Sequence, residues 1–79
     1  MTDAAVIALA GNCPGLTYVD FNFCDKLTDA ALLALVENCG GLTYADFGYC
    51  KNLTFTTKTV VEVLLPNCDF EFSTDGLLH

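Results

Sequence analysis

LTDAALLALVENCGGLTYADFGYCKN fills residues 27–52, and residues 1–26 read MTDAAVIALAGNCPGLTYVDFNFCDK. Superposed without a gap, the two stretches agree at 15 of 26 positions. Self-similarity at a fixed period in this range marks a repeat architecture, in which each unit is one supersecondary element stacked on the next. Leu53 and Thr54 restart the pattern on schedule, so the 79 residues divide into units 1–26, 27–52 and 53–79 of one domain.

Each unit opens with a helix start signal. Thr2 before Asp3 and Thr28 before Asp29 pair a capping hydroxyl with an acid at the positive end of a helix. Val6, Leu9, Ala10 and Cys13 then follow at helical spacing, as do Leu32, Leu35, Val36 and Cys39. Pro14 with Gly15, and Gly40 with Gly41, stop the two helices. In LTYVDFNFC (16–24) and LTYADFGYC (42–50) the period changes to two, which predicts a short strand with one buried face. Val19 and Phe21, like Ala45 and Phe47, point inward; Tyr18, Asp20 and Asn22, like Tyr44, Asp46 and Gly48, point outward. A helix crosses between successive strands, so the strands are parallel.

The third unit fits less closely. FTTKTVVEVLL is rich in β-branched residues, which weakens the helix expectation. LPNCDFEFS (65–73) restores the strand pattern with Leu65, Cys68, Phe70 and Ser73 at its four key positions. On that alignment the strand arrives after 23 residues instead of 26, and the helical side of the unit is shortened. Residues 73–78 read as the start of a fourth turn.

The combination LxxLxLxxC preceded by TDxxLxxLAxxCP resembles the cysteine-containing leucine-rich repeats. It is carried by Leu16, Val19, Phe21 and Cys24, by Leu42, Ala45, Phe47 and Cys50, and by the helical positions named above. Phenylalanine stands where the family commonly has a strand leucine, Ala45 is small for its site, and Gly40 replaces a proline. The resemblance implies an α/β solenoid, a short curved horseshoe with parallel strands on the concave face and helices on the convex face. Such repeats are familiar from F-box leucine-rich-repeat proteins, which hold substrates for Skp–cullin ubiquitin ligases. No F-box-like segment is read in these residues, so that role comes by analogy only.

Stacking equivalent strand positions about 4.8 Å apart turns them into rows across the sheet. The expected core row is Phe21, Phe47 and Phe70. The expected outward rows are Tyr18, Tyr44 and Asn67; Asp20, Asp46 and Asp69; and Asn22, Gly48 and Glu71. Phe23, Tyr49 and Phe72 lie just past the strands, either as part of an interface or folded back as extra core. These twelve outward and flanking residues are the candidate partner-binding set. Like charges about 5 Å apart repel by roughly 1 kcal/mol in water, which a cationic partner would relieve.

Composition narrows the partner. Ten acidic residues against three lysines and no arginine leave a net charge of −7, which disfavours nucleic acid and favours a basic protein surface. Mean hydropathy is +0.47, yet apolar runs such as residues 30–36 are far short of the roughly 20 residues that span a bilayer. Cys13, Cys24, Cys39 and Cys50 follow the repeat period; with Cys68, they read as reduced thiols packed as small hydrophobes, hence a cytoplasmic or nuclear setting. There is no CxxC and the only histidine is His79, so neither a metal nor a cofactor is expected. The acidic row lacks a histidine or an activated nucleophile beside it, so no enzyme is expected. The functional expectation is a protein-binding module; the alternative is a structural or assembly fragment of a longer repeat array that stacks, or self-associates, through its uncapped ends.

Overall fold

A computed structural model of the chain describes residues 1–72. The expected fourth turn at residues 73–78, and Ser73 as a strand position, lie outside the described residues. Three helices alternate with three strands: α1 (Asp3–Asn12), β1 (Tyr18–Asp20), α2 (Asp29–Asn38), β2 (Tyr44–Asp46), α3 (Phe55–Leu64) and β3 (Asp69–Glu71). The strands form one open parallel sheet in the order β1-β2-β3, and α2 packs between α1 and α3.

Each helix begins at its threonine. The Oγ1 of Thr2, Thr28 and Thr54 accepts a hydrogen bond from the N–H of Ala5, Ala30 and Thr57 respectively. Each helix ends ten residues on, where the N–H of Cys13, Cys39 or Leu65 donates to the carbonyl four residues back. Thus α3 is as long as its predecessors despite its β-branched sequence. Its cap and the burial of Thr57 and Val61 outweigh a weak intrinsic propensity.

The full-length α3 corrects the expected alignment of the third unit. Leu65 is the helix C-cap, equivalent to Cys13 and Cys39, and not the strand leucine. Cys68 instead takes the place of Leu16 and Leu42: its N–H donates to Leu65 O as theirs donate to Cys13 O and Cys39 O. The helical side is therefore not shortened. Tyr44 pairs with Asp69, Ala45 with Phe70 and Asp46 with Glu71, two residues away from the expected register. A shift of two preserves the inward–outward alternation, so Asp69 and Glu71 remain on the outer face and Phe70 remains inward. The core row becomes Phe21, Phe47 and Phe72, with ring centroids 5.5 and 6.5 Å apart along it.

The core lies between the helices and the inner face of the sheet. Val6, Leu27, Leu32, Leu35, Cys39 and Ala45 are wholly buried, and Phe47 nearly so. Burial is deepest in the second unit, which has a neighbour on each side. Leu35 is buried, while its equivalent Leu9 is half-buried.

Polar ties cross the same junctions. Asp3 accepts from Thr28 N at 2.8 Å and from Thr28 Oγ1 at 2.6 Å; Asp29 accepts from Thr54 N at 2.9 Å and Thr54 Oγ1 at 2.8 Å. The acid that follows Thr2 and Thr28 thus caps the next unit's helix start as well as meeting its own helix dipole. The Cys39 thiol reaches Cys13 O at 3.4 Å and Ala10 O at 3.7 Å, and the Cys50 thiol reaches Phe21 O at 3.1 Å. These cysteines are donors across the junction as well as small apolar fillers, and burial pushes both thiols up from 9.0.

Two outcomes follow for stability. Leu35→Ala removes a wholly buried side chain and is expected to cost about 2–5 kcal/mol in urea unfolding, against clearly less for Leu9→Ala. Burial pushes the Asp29 carboxyl up, but the Thr54 and Thr57 hydrogen bonds and the Lys58 charge outweigh it, leaving it below the ordinary 3.8. A depressed carboxylate stabilises the fold above its unfolded pKa, and loses that effect as pH falls through the lower folded value. Asp29→Asn should therefore cost about 1 kcal/mol at pH 7, and the gap to the unmodified chain should narrow as pH drops below 3.8.

Candidate functional site

The outer face of the sheet holds two rows, Tyr18–Tyr44–Asp69 and Asp20–Asp46–Glu71. Tyr18 and Tyr44 stack with centroids 5.0 Å apart. Asn67 leaves the face, because the corrected register places it in the turn before β3. Tyr18, Asp20, Asp69 and Glu71 are exposed, while Tyr44 is half-buried.

Asp46 and Gly48 stand apart from the rest of the candidate set, because both are buried. Asp46 Oδ1 accepts from Gly48 N at 2.8 Å, closing a turn at the strand end, and its Oδ2 accepts from Tyr44 Oη at 3.3 Å. Asp20 makes the same turn through Asn22 N at 3.1 Å, but stays exposed. An aspartate hydrogen-bonded to the N–H two residues on is a common turn device, so the aspartate row is partly structural. The middle carboxylate is buried as well as hydrogen-bonded, whereas Asp20, Asp69 and Glu71 are exposed. Desolvation, then the Asp46 carboxylate, pushes the Tyr44 phenol up from 10.0, which keeps it a donor to Asp46. Gly48 is constrained by closeness: a Cβ there would lie 3.1 Å from Asp46 Oδ1 and 3.5 Å from Asn22 Oδ1.

The aromatic residues past the strands separate into two groups. Phe72 belongs to the core row and carries Lys58 Nζ at 5.5 Å from its ring centre. Phe23 and Tyr49 form an outer pair with centroids 4.5 Å apart and ring planes within 3° of parallel. Both have positive φ, 64° and 59°, in the left-handed region that bulky side chains avoid. Phe23 is 69% exposed and Tyr49 half-buried. The backbone bond from Phe23 N to Gly48 O, 2.8 Å, holds this turn against the next unit. Sequence reading left this pair open between an interface and extra core, and it missed the left-handed backbone, for which no glycine or asparagine gave a signal.

Cys13, Cys24, Cys39, Cys50 and Cys68 are free thiols. Among the described residues no three His, Cys, Asp or Glu side chains gather as a metal ion would require, and no helix is long and apolar enough to cross a membrane.

Two substitutions probe this face. Phe23→Gly relieves a left-handed phenylalanine but removes a stacked pair, contributions of about 1 kcal/mol each with opposite sign. Thermal unfolding should accordingly move little. Gly48→Ala pushes a methyl onto the Asp46 turn and is expected to destabilise by about 1–3 kcal/mol in the same assay.

No family model matches the chain, and no curated protein matches it at a significant level.

Proposed function

We propose that this chain is a short solenoid of the leucine-rich-repeat type, and that its outer sheet face binds a basic segment of another protein. Phe23 carries the reading. It is a large aromatic held at a strained backbone angle, stacked on Tyr49 and left 69% exposed, three residues beyond the exposed acid Asp20. Strain of this kind persists where surrounding structure imposes it and clusters at binding sites. Flat aromatic faces beside Asp20, Asp69 and Glu71 suit lysine or arginine, whose charge meets the carboxylates while the side chain lies over a ring. A net charge of −7 draws such a partner in from a distance.

The resemblance to F-box leucine-rich-repeat proteins extends the reading to presentation of a substrate to a ubiquitin ligase. That extension rests on the resemblance alone. The five thiols without a disulfide suit a cytoplasmic or nuclear setting.

The test is fluorescence anisotropy with labelled peptides of equal length, one rich in lysine and arginine and one rich in glutamate. The basic peptide is expected to bind, with affinity falling as salt rises. Phe23→Gly should weaken it about fivefold, the equivalent of about 1 kcal/mol, without loss of fold. Asp69→Asn should weaken it less and flatten the salt dependence. Equal binding of both peptides, or an unchanged affinity for Phe23→Gly, would refute the proposal.

A further inference from the structure

The row Tyr18–Tyr44–Asp69 changes character between its second and third members. Tyr18 lies against one face of Tyr44, with centroids 5.0 Å apart and ring planes 20° from parallel. That separation is about the 4.8 Å spacing of paired strands, so the rings stand on their strands like plates stacked across the sheet. The opposite face of Tyr44 is therefore turned toward β3. There the paired residue is Asp69, which is exposed and much shorter than a ring. Among the described residues no third aromatic side chain stacks on Tyr44, because Phe70 and Phe72 stack on each other against the core. The outer part of this ring face is thus left uncovered beside an acid. This step lies between β2 and β3, inside the described sheet and not at a flank of the stack.

The groups around the step accept hydrogen bonds. Asp69 N–H donates to Thr43 O at 2.9 Å, while its carboxylate takes part in no hydrogen bond among the described residues. The Tyr44 hydroxyl is turned away along its strand and donates to Asp46 Oδ2, which leaves the ring to meet a ligand. The chain itself places no cation here. None of its 79 residues is arginine, Lys58 lies over Phe72, and Lys26 and Lys51 stand in the turns that follow the strands.

A flat ring beside a carboxylate matches one basic side chain better than the other. A guanidinium is planar, so it lies parallel on an aromatic ring, and its N–H donors form a fork that meets both oxygens of a carboxylate. An ammonium is a compact, strongly hydrated charge with no plane to stack. Resting on the basic-segment reading above, we propose that the step between Tyr44 and Asp69 is an arginine site. The guanidinium continues the Tyr18–Tyr44 stack as its third plate and donates to the Asp69 carboxylate. Tyr44 sets the preference for arginine over lysine, while the remaining acids of the face attract either.

The test uses the full chain and two labelled peptides of equal length and charge, one with arginine and one with lysine at every basic position. Fluorescence anisotropy is expected to show the arginine peptide binding about fivefold more tightly. Tyr44→Leu should bring the arginine peptide down to the lysine level and move the lysine peptide little. Tyr44→Phe, which keeps the ring, should keep the ratio. Asp69→Asn should weaken the arginine peptide about threefold and the lysine peptide less. Thermal melts check the fold of each variant, and Asp69→Asn, at an exposed position, decides the matter if Tyr44→Leu does not unfold cooperatively. Equal binding of the two peptides overturns the arginine site and leaves the basic-segment reading standing. An arginine preference unchanged by Tyr44→Leu or by Asp69→Asn also overturns the site. Binding of neither peptide overturns both.

Discussion

A helix of ten residues and a strand of three cannot between them enclose a core, so everything in this protein depends on the junction between successive units. Leu27, Leu35 and Cys39 are wholly buried, and the Cys39 thiol reaches the first unit at Ala10 O and Cys13 O. Apolar burial supplies most of the stabilisation, about 25 cal/mol per Å² removed from solvent. It has no direction, however, and would tolerate sliding. The polar ties supply register. Each Thr–Asp pair fixes one helix start against the next, the Cys39 and Cys50 thiols fix helix end and strand end, and Thr43 Oγ1 reaches Thr17 O at 2.9 Å. A slip along the stack would leave several of these groups unpaired at once.

The same junction shapes the outer face. Tyr18 lies on Tyr44 and Phe23 on Tyr49 because paired parallel strands hold equivalent residues at ring-stacking distance. Repetition also divides the acids. Asp46, flanked on both sides and closed over its own turn, has become part of the framework, while the edge positions Asp20, Asp69 and Glu71 are exposed. An outer face with an aromatic rim and edge acids is thus a by-product of stacking.

Departures from the repeat concentrate in the third unit. Lys58 and Glu62 replace residues buried at the earlier junctions, and Lys58 sits against Phe72 and close to Asp29. The register of β3 also tightens: Tyr18 pairs with Tyr44 after 26 residues, Tyr44 with Asp69 after 25. The missing residue falls between helix and strand, where neither a helix turn nor a pleat has to be given up.

By itself the sequence determined the first two helices, their threonine caps, the alternation that turns Val19 and Ala45 inward, and the parallel order of the strands. All of these follow from local periodicity and the short range of backbone hydrogen bonds. It also placed Asp69 and Glu71 outward despite a register error, because an even shift keeps alternation intact. Only the tertiary structure decided the rest. The length of α3 came from packing that its propensity opposed, and that length moved Leu65 to a helix cap, Phe72 into the core and Asn67 off the face. The second roles of Asp3, Asp29, Cys39 and Cys50 depend on atoms 25 to 29 residues away in the chain. The left-handed backbone of Phe23 and Tyr49 is imposed by the turn geometry shared with the neighbouring unit, and no local preference of either residue announces it.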